Sequence, residues 1–341
     1  MKILVTGGLG YIGSHTVVEL LQKDHEVIIL DNLYNSSLDI LARIHKITGK
    51  TPNFYQGNMG DEALVQRIFS ENGKIDCCIH FAGLKVINES LENPLGYYSN
   101  NISCTLTLLK VLGKNNCRNF IFSSSASVYG DAAHVPVSEE TPKGECSNPY
   151  AWSKSFTEQI LYDLYQSDKT WNIVVLRYFN PVGAHASHLI GEIHQSAPPN
   201  LMPYITQVAL GQREKLFIFG SDYPTRDGTG VRDFIHVVDL AKGHIAALGV
   251  FNTQNASPAY RIYNLGTGEG HSVLEIVQTF ERVNSVKIPY ALVERRPADI
   301  AVSFADVNKV YNELGWKSTL NLEDMCRDSY LFAKEYLESI K

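Results

Sequence analysis

The chain has 341 residues, enough for one large domain with a full core or for two smaller ones. Hydrophobic residues make up 44% and charged residues 19%, as in ordinary globular proteins. The formal net charge of -6 leaves no broad basic surface, which argues against nucleic-acid binding and means that a diphosphate ligand would need local donors.

The chain opens on Met1–Gly7, an apolar strand pattern that runs into a glycine turn. A signal peptide would need a longer apolar run and a small-residue cleavage site, and no stretch approaches the ~20 apolar residues of a membrane helix. The six cysteines form no Cys-x-x-Cys pair, so free thiols are expected. These features predict a cytoplasmic protein with no membrane partner and no metal site.

Short apolar segments alternate with helical patterns in the first half of the chain. The segments predicted as strands are Ile3–Thr6, Val27–Leu30, Asp76–His80, Phe120–Ser123 and Ile173–Arg177. The helical patterns among them include Ile12–Gln22, Glu62–Ser70 and Thr105–Leu112. This alternation predicts an α/β fold with a doubly wound, Rossmann-type parallel sheet that helices cover on both faces.

After Pro181 the rhythm changes. Residues 183–203 and 220–230 are rich in turn-forming and polar residues, and long loops of this kind are usually functional. Helical patterns return at Asp239–Gly249, Val273–Val283 and Leu322–Ser339. We therefore expect a Rossmann-type domain over residues 1–180 and a smaller α/β part over residues 181–341.

A glycine-rich segment follows the first predicted strand and opens the first predicted helix. Gly8–Gly13 fits Gly-x-Gly-x-x-Gly, and Gly7 adds an overlapping glycine pattern. Glycine permits the tight turn and the close approach to a pyrophosphate, and the helix offers N–H groups and its positive dipole end. The alternative is an ordinary glycine turn, but the strand–turn–helix context favours a dinucleotide site. Its expected contacts are Gly7, Gly10, Tyr11, Ile12 and Gly13.

Asp31 ends the second predicted strand, 18 positions after Gly13. A carboxylate at this position can bind the adenosine ribose hydroxyls and would repel a 2′-phosphate. Asn32 and Leu33 follow, with no Arg to receive such a phosphate. The segment therefore predicts NAD rather than NADP, with Asp31 and Asn32 at the adenosine; the alternative is a surface Asp.

Tyr150 and Lys154 lie four residues apart, after Asn148-Pro149, which is a typical helix start. The two side chains should lie one turn apart on one helix face. A free Tyr, with a pKa of about 10, is a poor base, but a nearby ammonium lowers that pKa. The pair can then act as a general base. The alternative is a surface Tyr and a solvated Lys, since the motif is common by chance.

A run of serines, Ser123–Ser125, follows another predicted strand. The carboxyl ends of strands line the ligand crevice in a doubly wound sheet, so a hydroxyl there can bind a substrate oxygen. The alternative is an ordinary serine-rich turn. The Tyr-x-x-x-Lys helix that follows favours the functional interpretation.

These motifs, together with Tyr178–Pro181, resemble the extended short-chain dehydrogenase/reductases. Later segments resemble the UDP-glucose 4-epimerases of that family; they are Asn200–Ile205, Gly220–Thr225 and Asp227–Val237. The resemblance runs from residue 1 to about residue 335. It implies NAD binding by the first domain and nucleotide-sugar binding mainly by the second.

The resemblance also implies individual roles. The catalytic set would be Ser125, Tyr150 and Lys154. Further NAD contacts would be Asn58, Phe81, Lys85, Asn100, Tyr150, Lys154 and Tyr178. The contacts to the UDP-sugar would be Lys85, Ser125, Tyr150, Tyr178, Asn180, Asn200, Leu201, Phe219, Arg232, Arg296, Asp299 and Ser303. Helices near residues 88–112 and 150–167 would form a homodimer.

Three departures from the family pattern bear on these roles. Asn58 stands where Asp is usual, so it would accept from the adenine amine without a charge. Ala151-Trp152 replaces the commoner Gly-Lys, away from the Tyr150–Lys154 face. Ser303 stands where many members have Tyr or Cys, and the smaller side chain would leave room for an N-acetyl group. The resemblance therefore implies action on UDP-glucose and UDP-galactose, and extends to their N-acetyl counterparts.

In the implied reaction Tyr150 takes the proton of the sugar 4-OH while hydride leaves C4 for NAD, and hydride later returns to the opposite face. The nearest alternative is a nucleotide-sugar 4,6-dehydratase. Such relatives carry Asp-Glu after the catalytic hydroxyl, where this chain has Ala126 and Ser127, which cannot perform that proton transfer. A non-enzymatic NAD-binding module is a further alternative, against which the Ser–Tyr–Lys set argues. Galactose metabolism or supply of surface-polysaccharide precursors would be the context.

Overall fold

The structure, a computed structural model, describes residues 1–132, 134–193, 200–252, 257–296 and 299–339. Part of the loop predicted at 183–203 therefore lies outside the described residues. The strands are β1 (Lys2–Thr6), β2 (Glu26–Asp31), β3 (Asn53–Gln56), β4 (Cys77–His80), β5 (Asn119–Ser125), β6 (Asn172–Tyr178), β7 (Asn180–Val182), β8 (Leu216–Phe219), β9 (Val231–Arg232), β10 (Phe234–His236), β11 (Tyr260–Leu265), β12 (His271–Ser272), β13 (Tyr290–Val293) and β14 (Val302–Ser303).

The α-helices fall between these strands and after them. They are α1 (Tyr11–Gln22), α2 (Asp39–Thr48), α3 (Glu62–Asn72), α4 (Ile87–Glu92), α5 (Pro94–Tyr98), α6 (Cys104–Lys114), α7 (Pro149–Ser167), α8 (Leu201–Ala209), α9 (Val237–Gly249), α10 (Val273–Asn284), α11 (Asn308–Leu314) and α12 (Leu322–Ser339). A π-helical turn at Ser99–Ser103 precedes α6, and a 3₁₀ turn at Ala126–Tyr129 follows β5.

Seven strands form the central sheet in the order β11-β6-β5-β4-β1-β2-β3. The first six strands of the chain pair in parallel, and their order reverses between β1 and β4 as in Rossmann-type sheets. Every residue of β4 and β6 is buried, as expected where helices cover both faces. The predicted α/β fold class is confirmed.

The chain divides into two compact units. The first unit comprises residues 1–130, 142–178 and 241–263, and the second comprises residues 131–141, 179–240 and 264–341. The first unit contains the cluster of buried apolar side chains from β1, β2, β4, β5, β6, α3 and α6. In the second unit a separate apolar core gathers side chains of α8, α10 and α12 around β8, which pairs in parallel with β13.

Some elements were not predicted from the sequence. Strand β3, Asn53–Gln56, lacks a buried apolar run because it lies at the edge of the sheet. The serines at 123–125 form the last three residues of β5 rather than a turn after it. All six cysteines are free, as expected. Among the described residues, no helix has both the length and the apolar character needed to cross a bilayer.

Candidate active site

The glycine turn between β1 and α1 packs too closely for side chains. Gly7 has a φ of +70°, and a Cβ there would lie 2.7 Å from the Ala82 amide nitrogen. A Cβ on Gly13 would lie 2.2 Å from the Gly7 carbonyl oxygen. Gly10 is the N-cap of α1 and offers no side-chain oxygen, and the first turn contains no acidic residue. The helix N-terminus is thus shaped for an anionic ligand.

Asp31, at the end of β2, is tied to this turn. Its carboxylate accepts a hydrogen bond from the Leu9 amide at 3.0 Å and from the Leu33 amide at 2.9 Å. The Ser36 hydroxyl donates to the same carboxylate at 2.9 Å. The side chain of Asn32 accepts from the Tyr34 amide at 3.0 Å. The structure therefore places the predicted ribose-binding carboxylate beside the predicted phosphate-binding turn.

Helix α7 begins as the sequence predicted. The Asn148 side chain caps it by accepting from the Ala151 amide at 2.9 Å, and Pro149 takes the first helical position. Lys154 lies one turn after Tyr150, with its Nζ atom 5.9 Å from the centre of the Tyr150 ring. Ser125, the last residue of β5, lies close enough to the Tyr150 side chain to lower its pKa. All three predicted catalytic residues thus converge within the first unit.

The buried Lys154 side chain is directed toward the sheet. Its Nζ atom donates to the Ser123 carbonyl oxygen at 2.8 Å and lies 5.0 Å from the centre of the Phe122 ring. Burial lowers the pKa of Lys154 to about 8, while the nearby Glu158 carboxylate raises it. A lysine with this pKa carries a proton at neutral pH but loses it within a modest rise in pH.

The pKa of Tyr150 differs from the expectation. Burial raises it above the ordinary tyrosine value, and the Ser125 side chain and the positive charge of Lys85 only partly offset that effect. The expectation that Lys154 lowers this pKa is therefore wrong. The Lys154 ammonium binds the Ser123 carbonyl oxygen, whereas the cation acting on Tyr150 belongs to Lys85.

Tyr178 lies opposite Ser125 in the β5–β6 register. Its hydroxyl forms a hydrogen bond with Nε2 of His244 on α9. The His244 ring packs on Phe81, with ring centres 4.8 Å apart. Burial raises the pKa of Tyr178 far above its usual range, so this hydroxyl stays protonated. Phe81 and Tyr178, both predicted to contact NAD, are thus brought into one cluster by His244.

Three other predicted NAD contacts lie around the same unit. Lys85 is exposed, with Nζ 5.9 Å from the centre of the Tyr11 ring. The Asn58 side-chain oxygen accepts from the Gly60 amide at 2.7 Å, which closes a turn after β3. Asn100 is half-buried in the π-helical turn before α6.

Asn101, which was not predicted, holds this region in place. Its side chain accepts from the Leu84 amide at 2.8 Å and donates to the Leu84 carbonyl oxygen and the Ser153 hydroxyl, each at 3.0 Å. It therefore ties the segment that carries Lys85 to the helix that carries Tyr150.

In the second unit, Arg232 of β9 and Asp299 form an ion pair. The guanidinium also donates to the Ile300 carbonyl oxygen at 2.7 Å and to the Val231 carbonyl oxygen at 2.8 Å. Two residues predicted to bind the UDP moiety thus contact each other. A diphosphate at Arg232 would share or replace the bond to Asp299.

Phe219, at the end of β8, carries the Arg296 guanidinium 4.0 Å above the centre of its ring. Both residues were predicted to bind the nucleotide, and both are exposed. At the start of α8, Asn200 donates to the Glu192 carboxylate at 2.9 Å, and Leu201 is half-buried. Asn180 is exposed at the start of β7.

Ser303 lies opposite Arg232 in the parallel pair of β14 and β9. Its carbonyl oxygen accepts from the Asp233 amide at 3.0 Å. The buried Asp233 carboxylate accepts from the Ala305 amide at 3.1 Å and from the Thr267 amide at 2.8 Å. This network fixes the backbone on both sides of Ser303, whose side chain is half-buried.

Three buried polar residues of the first unit were not predicted: Asn101, Glu158 and His244. Glu158 follows Tyr150 and Lys154 at the next four-residue step, so helical spacing could have found it. Nothing in the local sequence marks Asn101 or His244, because each acts on a segment distant along the chain. In the described part of the chain, no three His, Cys, Asp or Glu side chains converge as metal ligands.

The chain is similar to known proteins along nearly its whole length. Residues 4–329 match the family described as GDP-mannose 4,6 dehydratase. A UDP-glucose 4-epimerase from Pasteurella multocida is 52% identical over 335 residues, which are 98% of this chain and 98% of that protein.

Two solved structures share its fold closely. A UDP-glucose 4-epimerase from Stenotrophomonas maltophila, with bound NAD and formylated UDP-arabinopyranose, has a TM-score of 0.96 at 47% identity and covers 99% of each chain. A UDP-glucose 4-epimerase from Bifidobacterium longum, in complex with NAD+ and UDP, has a TM-score of 0.94 at 50% identity and covers 98% of each chain. The sequence and the fold of this chain thus both match those of UDP-glucose 4-epimerases over almost its whole length.

Proposed function

The chain belongs to the family of UDP-glucose 4-epimerases, and on that premise we propose that it is an NAD-dependent enzyme that interconverts UDP-glucose and UDP-galactose. The observation that carries the proposal is that Ser125, Tyr150 and Lys154 lie in the same compact unit as the glycine turn and Asp31. A proton-transfer group and a dinucleotide site in one unit suit oxidation and reduction of a sugar carbon.

The residues of the first unit fit NAD. The side-chain-free N-cap at Gly10 and the close packing at Gly7 and Gly13 suit a pyrophosphate, and the Asp31 carboxylate suits the ribose hydroxyls. Asn32, Asn58, Phe81, Lys85, Asn100 and Tyr178 would complete the site. When bound, NAD supplies the acceptor and then the donor of a hydride, and its oxidised ring adds a positive charge.

Proton transfer falls to Tyr150. Its phenolic oxygen takes the proton of the sugar 4-OH and returns it after the 4-keto sugar has turned over. Ser125 donates a hydrogen bond to the same sugar oxygen and so fixes its position. The positive charge of Lys85 favours the phenolate, which burial alone disfavours.

Recognition of the UDP moiety falls to the second unit. Arg232 and Arg296 can form charge-assisted hydrogen bonds to the diphosphate, with Phe219 beside the uracil and Asp299 at the uridine. Asn180, Asn200 and Leu201 would contact the sugar or its phosphates. The acidic overall charge of the chain makes such local cations necessary.

Dehydration of the sugar is the second candidate, since the matching family is described by that activity. The structure offers no acid–base pair for it next to Ser125, because Ala126 and Ser127 begin the 3₁₀ turn there and the Ser127 hydroxyl donates to Ser125 at 2.9 Å. We therefore prefer epimerisation.

Turnover without added cofactor tests the proposed function. The purified protein, incubated with UDP-galactose alone, should form UDP-glucose, and denaturation should release NAD. Formation of a 4-keto-6-deoxy sugar would instead support dehydration. Protein that carries no dinucleotide and requires added NADP would contradict both the cofactor and the role of Asp31.

We further propose that the enzyme acts on UDP-N-acetylglucosamine and UDP-N-acetylgalactosamine. The support is Ser303, whose small side chain lies in register with Arg232 and can donate a hydrogen bond to an acetamide oxygen. Replacing Ser303 with Tyr should therefore lower activity on UDP-N-acetylglucosamine by about ten- to two-hundredfold while activity on UDP-galactose is retained. Paired kinetic assays of both substrates measure this split.

A matched variant separates the two proposed contributions of Ser303, which are room for the N-acetyl group and a hydrogen bond to it. Ser303→Ala keeps the space but removes the hydroxyl, so most N-acetyl activity should remain. Equal losses on both substrates in Ser303→Tyr, or no N-acetyl activity in the unaltered protein, would refute this substrate range.

We also propose that the chain forms a homodimer through α4, α5, α6 and α7. The support is a group of exposed apolar side chains on these helices: Ile87, Leu91, Leu95, Leu106, Phe156 and Tyr162. Such a group on one protein commonly marks an interface. Sedimentation of the purified protein tests the dimer. A cytoplasmic role in galactose metabolism or in supplying surface-polysaccharide precursors completes the proposal.

A further inference from the structure

Glu158 is a fully enclosed carboxylate close to the catalytic residues of the first unit. It lies on α7, one helical turn after Lys154, and only 1% of its side chain is exposed. The Ser124 hydroxyl donates to its carboxylate at 2.6 Å, and the Arg177 guanidinium donates to both of its oxygens, at 3.0 and 2.6 Å. Three charge-assisted or short hydrogen bonds hold this enclosed carboxylate in one position.

The partners of Glu158 are the chain neighbours of the proposed site residues. Ser124 precedes Ser125 on β5, and Arg177 precedes Tyr178 on β6. One carboxylate therefore joins the three elements that carry Ser125, Tyr178 and the Tyr150–Lys154 pair. A shift of any of these elements would break at least one of its hydrogen bonds.

The negative charge of Glu158 also acts on Lys154. Burial disfavours the Lys154 ammonium, and the carboxylate one turn away favours it. Other polar groups also face these two side chains. Those near Lys154 are His80 at the end of β4, Ser123 of β5 and Tyr150 on α7. Those near Glu158 are Ser124 of β5, Lys143 and Cys146 before α7, Arg177 over the Tyr129 ring, and the Tyr260 hydroxyl of β11.

None of these other groups replaces the carboxylate. Burial lowers the pKa of His80 to about 3, so its ring is neutral at neutral pH. Burial raises the pKa of Cys146, so its thiol is also neutral. Lys143 and Arg177 carry positive charge, which disfavours a further cation nearby. Glu158 is the anion that favours the Lys154 ammonium.

We propose that Glu158 is a positioning residue of the reaction, whose buried carboxylate holds β5, β6 and α7 together and places a negative charge one helical turn from Lys154. The inference rests on the proposed function, because it assumes that Lys154 belongs to the catalytic set. It assigns no contact between Glu158 and substrate or cofactor.

The test separates charge from packing with two substitutions. Glu158→Gln keeps the size of the side chain and removes its charge, so the pKa of Lys154 should fall by about one pH unit or more. The alkaline limb of kcat/KM should move to lower pH by the same amount. Glu158→Asp keeps the charge and shortens the side chain, so it should leave this pKa near its original value although Tm falls.

Two further variants complete the experiment. Asp168→Asn, at the end of the same helix, removes a partly exposed carboxylate that is paired with Arg118. It should leave the alkaline limb of kcat/KM at its original pH. The double variant Glu158→Gln with Arg177→Met removes both charges of the buried pair. It should fold where the single variant does not, and should show a smaller fall in the pKa of Lys154, because the loss of the Arg177 charge partly offsets the loss of the carboxylate.

The pKa is read directly by NMR of the Nζ atom in protein labelled with ¹⁵N-lysine, with Lys154→Met for assignment. An unchanged pKa in both Glu158→Gln and the double variant would overturn the inference, as would equal shifts in Glu158→Gln and Glu158→Asp. If the unaltered protein fails to turn over any UDP-hexose, the proposed function is lost, but the NMR titration still decides whether Glu158 sets the charge of Lys154.

Discussion

Replacing Tyr150 with phenylalanine should lower kcat by at least about 10²- to 10⁴-fold, the usual contribution of general acid–base catalysis. The ring of Tyr150 stays the same size, so α7 and the position of Lys154 should be preserved. Only the ionisable hydroxyl is removed. Steady-state kinetics with UDP-galactose measure kcat, and calorimetry with UDP-glucose measures substrate affinity.

Binding and folding provide the controls for this variant. The affinity for UDP-glucose should be nearly unchanged, because the second unit supplies the proposed contacts to the UDP moiety. The same substitution at Tyr165, which is half-buried on the same helix, should leave turnover unaffected. Turnover of the Tyr150→Phe variant within a few-fold of the unaltered protein would remove Tyr150 from the mechanism.

Replacing Gly13 with alanine should also have a large effect. A Cβ there would lie 2.2 Å from the Gly7 carbonyl oxygen and 2.9 Å from the Gly8 Cα, both backbone atoms. The turn and the start of α1 must therefore separate, and a misfit of this kind costs about 1–3 kcal/mol. If that cost falls on the NAD-binding conformation, affinity drops by roughly five- to 150-fold. NAD content after purification and titration with NAD measure the loss.

Gly113 provides the matched control for this substitution. It lies inside α6, where a Cβ would make an ordinary 3.5 Å contact with Trp171. Gly113→Ala should stabilise the helix by up to about 1 kcal/mol and leave NAD bound. Full NAD occupancy and an unchanged Tm in Gly13→Ala would show that the turn tolerates a side chain, which contradicts the packing argument.

Local patterns were sufficient to predict the motifs of the first unit. The glycine turn, the cap at Asn148 and the Tyr150–Lys154 spacing each lie within one short segment, so their geometry follows from backbone rules. The central sheet followed from the alternation of apolar strands and helices. The edge strand β3 was not predicted, because the side chains of an edge strand are less buried and its sequence shows no apolar run.

The electrostatics of the site could not be predicted in this way. The effect of Lys154 on Tyr150 was inferred from spacing alone, but the ammonium bonds a carbonyl oxygen of β5 and burial raises the pKa of Tyr150. Likewise, the contact between Tyr178 and His244 joins residues 66 positions apart. Such effects depend on tertiary packing, which no local pattern records.

The position of the C4 hydrogen during turnover tests the central claim most directly. UDP-galactose carrying deuterium at C4 is incubated with the purified protein in ordinary water, with no NAD added. The account predicts UDP-glucose that retains deuterium at C4, because the hydrogen leaves and returns within one site while Tyr150 exchanges only the hydroxyl proton. Product that has lost deuterium to the solvent, or no product unless NAD is supplied in stoichiometric amounts, would contradict it.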